Sequence, residues 1–102
     1  DVRNSKVLEL IEELDEYEIE TVIYDPVADQ DELKHESEVE LSDKEDLTDL
    51  DAVIFAVAHN EFKDLTIDEI DKFFSNEKIM IDVKTMFEEE EMKDKGYTYW
   101  NL

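Results

Sequence analysis

Apolar and polar positions follow helical spacing in three parts of the chain. In residues 5–17, apolar side chains recur at i, i+3, i+4 and i+7 and glutamates occupy the opposite face, which predicts an amphipathic helix. A second helix is predicted over 66–74, where a capping-box pattern opens the apolar stripe. A third begins at Glu88, with acidic residues in its first turn, lysines in its last and Gly96 suited to the left-handed position that follows. Weaker helical signals cover 29–36 and begin again at Ser42.

The strongest strand signal is the seven-residue apolar run 52–58, which predicts a strand buried on both faces in the middle of a parallel sheet. Residues 78–83 predict the next strand along the chain. The remaining predicted strands are 21–24, 39–41 and 97–100. Because helices and strands alternate with short links, the pattern predicts an α/β fold. We expect a Rossmann-like, doubly wound, mostly parallel sheet with helices on both faces, in a single domain over residues 1–102.

The predicted order begins with a helix, although a doubly wound unit normally begins with its central strand. The sheet therefore lacks its first central strand, unless strands 21–24 and 52–58 pair directly or another chain fills the gap. An incomplete sheet exposes backbone donors and acceptors, and such edges recruit partners. We therefore expect a homodimer, or a rearranged strand pairing, through the open sheet.

The charge is strongly acidic, because 32 Asp and Glu stand against 10 Lys and Arg and give a net charge of −22. Such a surface repels nucleic acid and anionic membranes, so neither is expected as a partner. The chain has no cysteine, which excludes a disulfide, a thiol nucleophile and a thiolate metal site. With no apolar run of about 18 residues and no signal peptide, a cytoplasmic protein is expected. A single glycine stands where average usage would give about seven.

Candidate binding residues directly follow the predicted strands. In open parallel sheets, ligands bind beyond the carboxyl ends of the strands, and Asp25, His59 and Lys84 would lie on that one edge. Arg3 would join them if a strand preceded it. Arg3, His59 and Lys84 would then form a small basic cluster suited to a phosphate-bearing ligand.

Each of these residues also has a structural interpretation. His59 could cap the segment that follows it, and Lys84 could be one of many surface lysines. Arg3 could pair with an acidic neighbour, either Asp1 or Asp25. An aspartate that precedes a proline, as Asp25 does, is typical of a turn.

No motif for catalysis or metal binding is found. The chain has neither the Gly-x-Gly-x-x-Gly turn nor a P-loop. Its two histidines, His35 and His59, do not have metal-ligand spacing. Neither Ser5 nor Ser42 has a nearby histidine that would activate a nucleophile. We therefore predict no catalytic residue, no metal site and no cofactor in this chain.

Four short motifs follow one another along the chain: Asp1-Val2-Arg3-Asn4-Ser5, Tyr24-Asp25-Pro26, Val57-Ala58-His59-Asn60-Glu61-Phe62 and Ile81-Asp82-Val83-Lys84. Together they resemble the C-terminal, UDP-binding domain of the UDP-glucose/GDP-mannose dehydrogenase family, over essentially the whole chain. Within that family, the chain most resembles the UDP-N-acetyl-mannosamine and UDP-N-acetyl-glucosamine 6-dehydrogenases.

The resemblance implies an oxidoreductase of polysaccharide biosynthesis that converts the C6 alcohol of a nucleotide sugar to a carboxylate in two NAD-dependent steps. It implies that NAD binds an upstream Rossmann domain, that a catalytic cysteine also lies outside this chain, and that a helical middle domain mediates dimerisation. The domain present here would hold the nucleotide end of the UDP-sugar. Without its NAD domain and its cysteine, the chain would be inert as an isolated fragment.

The resemblance also assigns roles to individual positions. By motif match, Arg3, His59 and Lys84 are the expected substrate-binding residues, near the substrate or a subunit interface. The residues expected to be structural are Asp1, Ser5, Asp25 and Pro26.

The chain departs from the family at several positions. The family's first strand is missing, and Glu18, Glu38 and Thr85 stand where the family usually has glycine. A non-glycine residue at a left-handed position costs about 1 kcal/mol, and Thr85 adds bulk beside Lys84. Two main interpretations stay open: a UDP-sugar binding domain of a dehydrogenase, or an engineered scaffold derived from that domain with no retained function. A free-standing acidic interaction module is a third.

Overall fold

A computed structural model describes residues 5–31 and 39–102, which divide between two units, 1–47 and 48–102. In the first unit, helix α1 spans Ser5–Glu16, as predicted. It ends in a left-handed turn at Glu18, whose φ is 60°. The amides of Glu18 and Ile19 donate to the carbonyls of Asp15 and Leu14, both at 3.0 Å, and so satisfy the last carbonyls of the helix.

The strands predicted at 21–24 and 39–41 do not form, and these predictions are wrong. A backbone hydrogen bond runs from the amide of Ser42, the residue after 41, to the Ile23 carbonyl at 2.7 Å. The side chain of Gln30 occupies the bonding positions that a strand partner would use: its amide nitrogen donates to Val39 O at 3.2 Å, and its oxygen accepts from the Leu41 amide. Side-chain hydrogen bonds of this kind compete with a strand ladder.

Two weaker helical predictions have different outcomes. Of the helix predicted over 29–36, the structure describes helical backbone at residues 30 and 31, and the remainder lies outside the described residues. The helical turn predicted from Ser42 forms as a 3₁₀ helix over Lys44–Asp46, with Asp43 as its N-cap. Its start is fixed by Asp46, whose carboxylate accepts from the Asp43 amide at 2.9 Å.

The second unit contains a parallel sheet of three strands in the order β1-β2-β3, with β1 at Leu50–Phe55, β2 at Phe74–Asp82 and β3 at Thr98–Asn101. Helices α2 (Asn60–Lys63) and α3 (Ile67–Asp71) connect β1 to β2, and α4 (Glu89–Asp94) connects β2 to β3. The predicted Rossmann-like α/β fold is confirmed in this parallel sheet with its helical crossovers. None of the helices in the described ranges is long and apolar enough to cross a membrane.

Strand β1 differs from its prediction in two ways. It ends at Phe55 instead of residue 58, so the last part of the apolar run belongs to a loop. It also pairs with β2 alone among the described strands, and its Asp51 and Ala52 are exposed. The prediction that this strand is buried on both faces in the middle of the sheet is therefore wrong. Among the described strands, β1 has a neighbour on one side only.

The local signals for α3 and α4 are confirmed. The Thr66 hydroxyl accepts from the Glu69 amide at 3.2 Å and the Glu69 carboxylate accepts from the Thr66 amide at 3.3 Å, which completes the predicted capping box. Helix α4 ends before Gly96, whose φ is 90°. The apolar core of the second unit consists of Phe55, Phe62, Ile70, Phe73, Met80, Met92, Tyr97 and Tyr99.

Candidate functional site

The carboxyl ends of β1 and β2 lie next to each other, because the two strands are parallel neighbours. The amide of Val83 donates to the carbonyl of Phe55 at 3.0 Å, which joins the ends of the two strands. We call the two loops that follow, residues 56–59 and 83–88, the carboxyl rim. His59 and Lys84 lie in these two loops, so the structure places both of them at the same edge of one sheet.

His59 is the residue immediately before α2, in an extended conformation with φ −66° and ψ 146°. Its side chain makes no capping hydrogen bond to the helix, so a side-chain cap does not explain its position. The imidazole packs instead against Phe62, with ring centroids 5.4 Å apart. Phe62 in turn meets Phe55 edge-on at 6.0 Å, which fixes this loop on the aromatic part of the core.

Lys84 is exposed in the turn that follows β2. None of the ion pairs found among the described residues includes it. The next residue, Thr85, has a φ of 52°, the left-handed conformation expected where a glycine is usual. Its amide donates to the Asp82 carbonyl at 3.3 Å and its hydroxyl lies 3.4 Å from the Leu102 carbonyl. A β-branched residue in this region is strained by about 1–3 kcal/mol, so the surrounding bonds must impose the turn.

Asp82, at the end of β2, is the charged residue that the sequence motif contained but to which no role was assigned. Its side chain is completely buried, with 0% exposure. One carboxylate oxygen, Oδ2, accepts from the Phe87 amide at 2.9 Å and from the Tyr99 hydroxyl at 2.6 Å. A carboxylate that ends an apolar strand is the sequence signal that could have identified it.

Tyr99 completes this buried group from β3. Burial, followed by the hydrogen bond to Asp82, raises the pKa of Tyr99 to about 12. The hydroxyl therefore keeps its proton at neutral pH and acts as a donor to the carboxylate.

The other predicted site residues belong to the first unit or lie outside the described residues. Asp25, in the first unit, accepts through Oδ1 from the amides of Val27 (2.9 Å) and Ala28 (3.1 Å), the geometry of a turn residue next to Pro26. Asp1, Arg3, His35 and Glu38 lie outside the described residues, and Ser5 is described in its backbone as the first residue of α1. Across residues 5–31 and 39–102, no cluster of three or more metal-ligating side chains occurs.

Comparison with known proteins gives a consistent set of matches. The family model for the UDP-glucose/GDP-mannose dehydrogenase family, UDP binding domain, matches residues 1–89, a segment that includes both loops of the rim. A UDP-N-acetyl-D-glucosamine 6-dehydrogenase of Pseudomonas aeruginosa is 32% identical over 90 residues, 88% of this chain. Protein CapL of Staphylococcus aureus is 34% identical over 102 residues, 100% of the chain. A UDP-N-acetyl-D-glucosamine 6-dehydrogenase of Salmonella typhi is 29% identical over 84 residues, 82% of the chain.

These relatives are much longer proteins. The chain spans 21%, 24% and 20% of their respective lengths. No solved structure gives a significant match.

Proposed function

Because this chain belongs to the UDP-glucose/GDP-mannose dehydrogenase family and matches its UDP binding domain, we propose that it binds the nucleotide end of a UDP-sugar at the carboxyl rim. The observation that carries the proposal is the position of His59 and Lys84, on two loops joined at the ends of neighbouring parallel strands. This is the edge at which open α/β sheets bind their ligands. Arg3, which precedes α1 in the sequence, is the third basic residue that we assign to the substrate.

The chemistry of the rim suits a diphosphate. Lys84 has an exposed ammonium group, and it takes part in none of the ion pairs found among the described residues. In a chain with a net charge of −22, an anionic ligand needs such a local cation to offset the overall repulsion. The imidazole of His59 adds a hydrogen-bonding group on the adjacent loop.

NAD does not fit the residues of this chain. A dinucleotide needs a glycine-rich turn that lets the backbone approach the pyrophosphate, and the sequence has one glycine, Gly96. That glycine ends α4, and the space that its Cβ would fill borders the Lys78 side chain. We therefore assign NAD binding and the oxidation of the sugar to other parts of a longer polypeptide. The chain by itself would bind substrate without transforming it.

A second candidate function is a fold that persists without binding UDP, as in an engineered scaffold. The left-handed Thr85 favours it, since a strained, branched residue directly follows the lysine that would hold the phosphates. Direct measurement of binding separates the two candidates.

The test is a titration of the ¹⁵N-labelled chain with UDP, followed through backbone amide shifts. We expect saturable shifts in residues 56–59 and 83–88, and weaker shifts with uridine, which has the base and ribose but no phosphates. A folded chain whose rim amides do not respond to millimolar UDP would exclude the proposal and favour the second candidate.

A matched pair of lysine substitutions tests the role of the cation. Lys84→Met should weaken UDP binding at least tenfold, about 1.4 kcal/mol. Lys72→Met removes an equally exposed charge after α3, before the amino end of β2, and should leave the affinity within about twofold of the wild type. Equal losses in both variants would show that general charge, and not the rim, attracts the ligand.

A further inference from the structure

Two hydrogen bonds to a single residue, Asp82, close the loop that carries Lys84. The backbone carbonyl of Asp82 accepts from the Thr85 amide at 3.3 Å. Its side-chain Oδ2 accepts from the Phe87 amide at 2.9 Å. The bond to Phe87 therefore encloses residues 83–86, with Lys84 among them, and the bond to Thr85 closes a tighter turn within that loop.

The Asp82 carboxylate is itself held from the neighbouring strand. The Tyr99 hydroxyl, on β3, lies 2.6 Å from the same Oδ2. It also lies 3.1 Å from the Phe87 carbonyl, so Tyr99 contacts both partners of the bond that closes the loop. Among the described residues, the other oxygen of Asp82, Oδ1, is buried without a hydrogen-bond partner. A buried carboxylate that is only partly satisfied destabilises a fold, so its presence calls for an explanation beyond stability.

Phe87 connects the closed loop to the rest of the rim. Its ring meets Phe55 at 5.2 Å with an interplanar angle of 65°. Phe55 also contacts Phe62, against which His59 packs. The amide of Phe87 is thus held by Asp82 while its ring is held by the aromatic residues beneath the other loop.

Lys84 has no ion pair among the described residues that would fix its side chain. The position of its ammonium group therefore depends on the backbone of its loop. A flexible lysine loses conformational entropy when it binds a phosphate, and a loop that is already ordered reduces that loss.

We infer that Asp82 is a positioning residue, whose buried carboxylate orders the Lys84 loop for phosphate binding through the Phe87 amide and the Tyr99 hydroxyl. The inference rests on the proposed function for its ligand, but its structural part, the ordering of the loop, stands apart from any ligand. Asp82 does not touch the ligand, and it acts through Lys84.

Two substitutions separate the hydrogen bonds from the charge. Asp82→Asn keeps an acceptor oxygen for both donors, so the loop should stay ordered and UDP affinity should remain within about threefold of the wild type. Asp82→Leu keeps the branched shape of the side chain but removes the acceptor, and we expect at least a tenfold loss of affinity. Equal affinity in the wild type and Asp82→Leu would overturn the inference.

A double-mutant cycle distinguishes positioning from a general structural role. If Asp82 acts through Lys84, Asp82→Leu should have little further effect on UDP affinity in a chain that already carries Lys84→Met. A structural role elsewhere would instead give the same loss in both backgrounds, and this additive result would count against the inference.

Hydrogen exchange tests the loop without ligand or substitution. In the wild type, the Phe87 amide should exchange at least tenfold more slowly than the Met86 amide, to which the described residues offer no acceptor. Similar exchange at both amides would overturn the inference even if Asp82→Leu does not fold. If UDP fails to bind while the Phe87 amide is protected, the proposed function fails and the loop-ordering role of Asp82 stands.

Discussion

Two tyrosine–aspartate pairs lie at opposite ends of β2 and have different surroundings. Asp71, just before the strand, accepts from the Tyr97 hydroxyl, and Lys78, in the middle of β2, joins them: its ammonium is 3.3 Å from the Asp71 carboxylate and 4.5 Å from the centre of the Tyr97 ring. We call Asp71, Lys78 and Tyr97 the amino-end cluster. At the other end, Tyr99 donates to Asp82, and the nearby cation, Lys84, is exposed and outside the ion pairs of the described residues.

Under the proposed function, the difference separates a group used for stability from one used for binding. In the amino-end cluster the lysine is used within the structure, since it also donates to the Lys95 carbonyl at 2.8 Å. At the carboxyl rim the buried aspartate orders the backbone, and the lysine stays accessible to solvent. The amino-end cluster therefore holds the charge of Lys78 in place, whereas the carboxyl rim leaves the charge of Lys84 exposed to solvent.

The largest contrast should appear when each lysine is replaced. Lys78→Met removes a charged hydrogen bond and a cation–π contact, and should lower the free energy of unfolding by about 2 kcal/mol. Lys84→Met removes an exposed side chain and should change it by less than about 0.5 kcal/mol. Urea unfolding measures the stability of both variants. Comparable losses of stability would mean that Lys84 also stabilises the folded chain.

The next largest difference in stability should appear when each tyrosine is replaced. Tyr99→Phe leaves the fully buried Asp82 without one of its two donors, and should destabilise the chain by about 1–2 kcal/mol. Tyr97→Phe should cost less than about 1 kcal/mol, because Asp71 keeps Lys78 and its side chain is 39% exposed to water. The melting temperatures of the two variants rank them, and the reverse order would contradict the contrast between the two ends.

Alkaline pH sharpens the same comparison. Because the pKa of Tyr99 is raised to about 12 from its usual value of 10.0, the folded chain retains a proton that the unfolded chain loses first. This contribution to stability is complete below pH 10 and is lost as the pH rises from 10 towards 12. The pKa of Tyr97 is raised as well, by burial and then by its hydrogen bond to Asp71.

The variant Tyr99→Phe measures how much Tyr99 contributes to the pH dependence of stability. The unfolding free energy of the wild type, measured in urea at several pH values above 9, should fall more steeply than that of Tyr99→Phe. Parallel curves for the two chains would show that Tyr99 titrates normally in the folded state.

The smallest effect is expected in the Lys84 loop. Thr85→Gly removes the strain of a left-handed threonine and should stabilise the chain by about 0.5–1 kcal/mol. Thr98→Gly, in the extended backbone of β3, should have the opposite sign, because glycine weakens a strand interior. Stabilisation in both variants, or in neither, would argue against the strain at Thr85.

Elements with strong local signals could be predicted from the sequence, whereas the short strands predicted at 21–24 and 39–41 were wrong. The capping box at Thr66 and the charge order of α4 act within one turn of helix, and both helices begin where expected. The first of them is shorter than predicted, because it ends at Asp71 and Phe74 already belongs to β2. The strand predicted at 39–41 did not form, and there the Gln30 side chain takes up the backbone hydrogen bonds of Val39 and Leu41. No pattern in a single sequence identifies such competition.

The candidate site was predictable to a similar degree. The rule that parallel strands present their carboxyl ends together placed His59 and Lys84 at one edge of a sheet, and the structure places them there. The role of Asp82 was not predicted, because it depends on a tyrosine on another strand and on an amide five residues further along.

The aromatic contacts beneath the rim couple the positions of its two loops. Phe55 lies between Phe62, which supports His59, and Phe87, which closes the Lys84 loop. A displacement of that single ring would therefore change the spacing of His59 and Lys84. If the rim binds a diphosphate as proposed, a change in the hydrophobic interior at Phe55 would alter the length of anion that the surface accommodates.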